Sequence, residues 1–303
     1  MTCYSRHLVE AMSSPELMEE WVRRSLRERR HGLSSGRSLI SEDSPRFLYK
    51  YRPLNASDDE SVRKLKSLLI DDRVWMASPS SLNDPQDLDF TLEENRNAKE
   101  RRSWTKNSSA LLSPMPPAKR MQFLRQIERA RMTSEQIASF KAHQRRELGV
   151  FCASQNPRQM QMWTHYADES RGICIQYSTY EEEMFLLARS VIYANTFPTI
   201  TVPTPIGREQ DHYLVKALTW KYEAEWRVVA PIQSCFIQLG RRAISGVILG
   251  ARASEATRTC IAQLLAERVQ TGKPPFSIYQ STNNIGRFGI SIRRLDPNTV
   301  MLR

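Results

Sequence analysis

Several common signatures are missing from this chain. Neither GxGxxG nor GxxxxGKS/T occurs, so the two familiar glycine-rich loops that hold phosphate on backbone N–H groups are absent. HExxH is also missing. The five histidines, His7, His31, His143, His165 and His212, lack the spacing of a structural zinc site. There is no CxxC pair, and five cysteines is an odd number, which argues against a disulfide framework and fits a reducing compartment. No apolar run approaches the roughly 20 residues that span a bilayer. The opening MTCYSRHLVEAMSS holds no apolar segment of a secretory signal. A cytoplasmic protein is therefore expected, or one delivered into another cell by a route that needs no such signal.

What is present begins with charge. The 303 residues carry a net charge of +11, a balance that favours polyanionic partners such as nucleic acid, acidic surfaces or phosphorylated cofactors. Residues 1–44 read as an appendage. Pro15 to Arg30 reads as a helix, with an acidic first half and a basic second half in agreement with the helix dipole, and His31 to Ser44, rich in Ser and Gly, reads as a linker. Residues 45–303 read as one domain. Between about 93 and 148 it carries a basic helical insertion with Arg96, Lys99, Arg101, Arg102, Lys106, Lys119, Arg120, Arg125, Arg129 and Arg131.

Short strands with unevenly inserted helices predict an α+β fold, not a doubly wound sheet. Strands are expected at Phe47 to Arg52, Val74 to Ala77, Val150 to Ala153, Ile173 to Tyr177, Val247 to Leu249, Phe276 to Tyr279 and Ile290 to Ile292. Helices are expected through Val62–Leu69, over Glu181–Val191, over Asp211–Trp220 and through Ile261–Val269. Thr196 to Arg208, rich in Thr and Pro, reads as loop.

The chain is organised around Val150 to Tyr177. A strand leads through Ser154-Gln155-Asn156-Pro157 into a short helix with Met160, Trp163, His165 and Tyr166, and Arg171-Gly172 breaks it before a second strand. Ser154 or Asn156 is expected to cap that helix. Trp163 and Tyr166, three apart, can share a face that stacks a flat ligand. The expectation is that Tyr166 faces a cleft and His165 supports it from behind. Two further pieces complete a constellation: Tyr49-Lys50-Tyr51-Arg52, and Glu223-Ala224-Glu225-Trp226-Arg227. Read as a strand, Glu223 and Glu225 point to one face, and neighbouring carboxylates call for a cation, a shared proton or a substrate. The competing reading is an exposed strand edge, with both carboxylates solvated and Arg227 paired to one of them. Asp84, Asp87 and Asp89 are clustered but need not face one point, so a metal nuclease is disfavoured and no metal ligand is assigned.

YKYR, WMASPSSLNDP, the central FCASQNPRQMQMWTHYADESRGICIQY and WKYEAEWRV occur in an order that resembles a bacterial family known as domain of unknown function 2971, over roughly Phe47 to Val229. By layout the chain also resembles the ADP-ribosyltransferase superfamily, with its small split antiparallel β-core and no Rossmann loop. That resemblance implies NAD as substrate and assigns roles by order. Arg52, or Tyr49 beside it, would hold NAD, and Ser154, Trp163, His165 and Tyr166 would surround the nicotinamide. Glu225, with Glu223, would stabilise the positive charge that develops on the ribose. It implies a macromolecular acceptor, protein or nucleic acid, and, for a toxin or effector, an antitoxin or inhibitor partner. The sequence departs from that pattern in having no STS triplet. A nucleic-acid-binding or nucleic-acid-processing protein that uses the basic insertion is the alternative, and a non-catalytic interaction module is another.

Overall fold

A computed structural model describes residues 44–94, 116–122, 134–202 and 211–296. The expected appendage at 1–44, except Ser44, most of the basic insertion, and the part of the Thr/Pro-rich loop from 203 to 208 lie outside the described residues.

The α+β class holds, with a large, mostly antiparallel sheet. Its eight strands run in the order β14-β13-β12-β5-β1-β4-β10-β6. These are β1 (Phe47–Arg52), β4 (Gly149–Ser154), β5 (Ile173–Ser178), β6 (Arg189–Ser190), β10 (Glu225–Ala230), β12 (Ile244–Leu249), β13 (Ser277–Asn283) and β14 (Ile290–Arg294). Only β12 and β13 lie parallel in this sheet, joined through a long helix, Glu255–Gln270. Three small pairs stand apart. β2 (Arg73–Met76) pairs with β11 (Cys235–Gln238), β3 (Thr91–Glu94) with β8 (Thr199–Val202), and β7 (Ile192–Ala194) with β9 (Val215–Ala217).

Period-2 alternation sorts the strand side chains onto two faces. Leu48, Phe151, Ala153, Ile173, Ile175, Tyr177, Trp226, Val228, Val247 and Leu249 join the main core. Two helices cover that core: α1 (Asp59–Leu69) through Leu65, Leu68 and Leu69, and the Glu255–Gln270 helix through Ile261, Leu264 and Leu265. Asp58 caps α1 by accepting from the Ser61 N–H, and Ser254 caps the long helix by accepting from Thr257. The opposite face carries Tyr51, Cys174 and Ile248 against a short helix, Met160–Tyr166, through Met162, Trp163 and Ala167. Gly172 and Gly250 are required by close approach. A Cβ at Gly172 would lie 2.3 Å from the Arg52 carbonyl oxygen, and one at Gly250 2.1 Å from that of Ser170.

The sheet is weakest at its middle. β1 and β5 match six residue pairs, and β4 and β10 another six, whereas β1 and β4 meet only at Tyr49 and Ser154. Beyond that bridge the two strands part.

Four local expectations are corrected. Asp211–Trp220 is not a helix. It is a 3-10 turn (Asp211–Leu214), then β9, then a 3-10 turn (Leu218–Glu223), because Val215, Lys216 and Ala217 pair in parallel with β7 and the long-range ladder overrides the local helical reading. The helix expected over Glu181–Val191 is short, Glu183–Leu186, and the chain then runs into β6. Thr199–Val202, expected as loop, forms β8, since β-branched residues suit a strand beside β3. Ser154 and Asn156 do not cap the Met160–Tyr166 helix. Each turns back on its own loop, with Ser154 accepting from the Asn156 N–H and Asn156 from the Arg158 N–H.

Candidate functional site

Where β1 and β4 part, a cleft of about 290 Å³ opens. Its walls are Tyr49, Lys50 and Tyr51 of β1, Cys152, Ala153 and Ser154 of β4, Ser81, Leu82, Asn83 and Asp87 of the loop after β2, Met162 and Tyr166 of the short helix, and Lys216, Glu223 and Glu225. At the closed end of the seam Tyr49, Ser154 and Glu225 are cross-strand neighbours on three adjacent strands.

Glu223 and Glu225 do not lie on one strand. Glu223 ends the 3-10 turn, Ala224 sits in the left-handed region at φ 45°, ψ 51°, and Glu225 begins β10. That reversal, strained for a residue with a Cβ, brings both carboxylates to one ammonium. Lys216 donates to Glu223 Oε2, and to Glu225 Oε2 at 2.9 Å, with Asp87 Oδ2 at 3.4 Å. Arg227 closes the network: Nε to Glu225 Oε1 at 2.7 Å, Nη2 to the two Asp87 oxygens at 2.8 and 2.7 Å, and Nη1 to the Tyr213 carbonyl at 2.9 Å. Lys216, Glu223, Glu225, Arg227 and Asp87 are all buried. The reading of an exposed, solvated edge is thus overturned, although Arg227 does pair with Glu225.

Three carboxylates face two cations here, and the titration reflects it. Burial alone would raise the Glu225 pKa, but Arg227 and Lys216 outweigh burial and hold it at about 2. Burial and the charge of Glu225 together prevail over Lys216 at Glu223, whose pKa is raised. Lys216, despite burial, is pushed up by the three carboxylates. Tyr166 Oη donates to Glu223 Oε1 at 2.5 Å and accepts from Asn83 Nδ2 at 2.9 Å. The Glu225 N–H is held by Tyr193 Oη at 2.8 Å.

Of the residues singled out in the sequence, Tyr49, Ser154, Tyr166, Glu223 and Glu225 meet in this cleft. Arg52 does not line it; it ends β1 opposite Ile173. Trp163 is fully buried, its indole N–H on the Pro157 carbonyl at 2.9 Å and its ring edge-on to Tyr51. It supports the wall and offers no face to a ligand. His165 is exposed, with the Tyr222 ring 6.2 Å away, and does not pack behind Tyr166, because consecutive helical residues diverge by about 100°. Asp84, Asp87 and Asp89 go separate ways, to the Trp220 indole N–H, Arg227 and Lys141.

Sequence reasoning missed Lys216, Lys50 and Asn83. Lys216 carried one signal: a lone lysine in the apolar run Tyr213-Leu214-Val215-Lys216-Ala217 must find an acid once that run is buried. Lys50 and Asn83 sat inside noted segments, but their partners are about 100 and 80 positions away.

A family model described as "Protein of unknown function (DUF2971)" matches residues 162–228. The matched interval is narrower than the span of the sequence resemblance, yet it includes Tyr166, Lys216, Glu223, Glu225 and Arg227. No curated protein and no solved structure matches the chain.

Proposed function

We propose that the protein is an NAD-consuming, ADP-ribosyltransferase-like enzyme and that the β1/β4 cleft is its site. The observation that carries this reading is the row Tyr49, Ser154 and Glu225 across β1, β4 and β10, opening onto a cavity of ligand size. It is the order that the superfamily's layout implies, gathered in space from three distant segments. The hydroxyl and amide groups of Ser154, Tyr166 and Asn83 in the lining suit the ribose and amide of such a substrate. Breaking a nicotinamide–ribose bond builds positive charge on the ribose. A Glu225 carboxylate that stays ionised down to about pH 2 and is fixed by Arg227 and Lys216 is preorganised for that charge. Tyr166 orients Glu223 beside it. Arg52 drops out of the assignment, and a macromolecular acceptor remains part of the proposal.

Calorimetric titration with NAD, paired with an assay of released nicotinamide, tests it. The wild-type chain binds NAD and slowly releases nicotinamide. Glu225→Gln keeps binding and loses about 10²- to 10³-fold in turnover, the scale of one preorganised electrostatic group. A folded protein that binds no NAD near millimolar concentration removes the proposal.

A further inference from the structure

Lys50 is a cation in the cleft wall that the carboxylate network does not use. Lys216 and Arg227 are consumed by Asp87, Glu223 and Glu225. Lys50 instead reaches into the seam where the ladder is missing. Its Nζ donates to the Cys152 carbonyl at 2.7 Å and lies 4.6 Å from the centre of the Phe151 ring. Among the described residues no carboxylate stands within ion-pair distance of it. A carbonyl and a ring face occupy only part of an ammonium that has three donors. The cleft is therefore bipolar. One wall carries three carboxylates against two cations, and the other carries a lysine whose charge is unmatched by contact.

We propose that Lys50 is an anion-binding residue, and that the cleft takes a ligand with a phosphate or pyrophosphate group directed at the β1/β4 seam. The assignment deepens the NAD reading, on which its choice of phosphate rests, and moves the phosphate contact from Arg52 to Lys50. A lysine binds phosphate as a point charge, so it needs no planar fork and can serve from a narrow seam. Burial pulls the Lys50 pKa down, and a phosphate at the ammonium would restore it. A carboxylate anion would meet the same electrostatics. Phosphate is favoured because Ser154, Asn83 and Tyr166 in the cleft wall offer hydroxyl and amide groups suited to an attached sugar.

The competing role is a strut: Lys50 would only satisfy the Cys152 carbonyl where the sheet splits. Two variants separate these roles. Lys50→Gln keeps a donor for that carbonyl and removes the charge, while Lys50→Arg keeps the charge. Titrations of the full chain use inorganic pyrophosphate, ADP, ADP-ribose and, as a phosphate-free control, nicotinamide riboside. Wild type binds the phosphate-bearing probes. Lys50→Gln weakens them about 10- to 100-fold, the size of a charge-assisted hydrogen bond, and leaves nicotinamide riboside within about 2-fold. Lys50→Arg recovers most of the affinity. If Lys50→Gln lowers Tm and binds every probe like wild type, Lys50 is a strut and the proposal is overturned. Failure of wild type to bind pyrophosphate, ADP or ADP-ribose at 10 mM, an upper limit set at roughly −3 kcal/mol, also overturns it, whether or not the variants fold. If NAD is bound and consumed equally by wild type and Lys50→Gln, the NAD reading survives and this inference falls. If pyrophosphate and ADP bind through Lys50 but no nicotinamide is released, the inference survives and the NAD reading falls.

Discussion

Two buried ion clusters in this protein use the same kinds of side chain to opposite ends. At the end of the Glu255–Gln270 helix, Arg268 and Lys273 share the single carboxylate of Asp72. Their remaining donors go to backbone carbonyls of Leu69, Ile70, Pro274 and Arg241. Two of these carbonyls close α1, where cations are favoured by the helix dipole. The cluster has more cations than acids, leaves Arg268 and Asp72 wholly buried, and touches no part of the cleft lining. It clamps two helix ends together. At the cleft the balance reverses: Asp87, Glu223 and Glu225 exceed Lys216 and Arg227, and the surplus negative charge borders open volume. Desolvating ions is costly in either place. A helix clamp can offset that cost with carbonyl dipoles, whereas an excess of carboxylates at a cavity calls for a proton on one of them, in line with the raised Glu223 pKa, or for a positive group that arrives there.

The largest expected effect comes from removing the cation at the centre of each cluster. Arg227→Met leaves Glu225 and Asp87 with Lys216 as their one remaining cation, and Arg268→Met leaves Asp72 to Lys273 and removes the donor to the Leu69 carbonyl. Each costs about 3–5 kcal/mol in urea unfolding. The comparison sharpens if folded Arg268→Met retains wild-type NAD affinity while Arg227→Met does not, and it breaks if both lose binding alike.

Acid comes next. The Glu225 pKa is about 2 folded against 4.5 for an ordinary Glu, so the unfolded chain takes up this proton first as pH falls. Its stabilisation is complete above about pH 4.5 and lost between there and about pH 2, up to roughly 3 kcal/mol. Glu223, shifted upward, contributes with the opposite sign, because its protonation on acidification favours the folded state. Glu225→Gln should therefore flatten the acid limb of a stability–pH curve. An unchanged limb would mean that Glu225 is not held by Arg227 and Lys216.

A smaller effect is expected at Tyr166. Tyr166→Phe removes the donor to Glu223 and costs about 1–2 kcal/mol in thermal or urea melts. Tyr166→Ala cuts turnover far more than any change at His165. Least of all, His165→Gln, at an exposed position, should shift stability by no more than about 0.5 kcal/mol and leave nicotinamide release intact. Loss of activity in His165→Gln with Tyr166→Phe unaffected would place the chemistry outside the cleft wall described above.

Local patterns carried much of the fold. Alternation placed β1, short apolar runs placed β4, β5 and β12, and the stripe of Leu65, Leu68 and Leu69 placed α1. Tyr166, Glu223 and Glu225 were legible because an aromatic with a polar end and a close pair of acids are conspicuous in a strand–helix–strand setting. Trp163 misled for a physical reason. A large ring suits a ligand stack and a core equally well, and only the fit of its indole N–H to the Pro157 carbonyl decides for the core.

What the sequence determined by itself is the set of short-range preferences: which segments alternate, where helices begin, and which residues could carry charge or stack. Only the tertiary structure decided that β1 and β4 meet at a single pair, that Ala224 turns two glutamates onto Lys216, and that Lys50 enters the seam with no carboxylate of the described residues in ion-pair range. Those outcomes depend on contacts between residues up to 140 positions apart, such as Arg227 with Asp87. An ion buried in low dielectric is governed by which charges surround it, and that cannot be read from its neighbours along the chain.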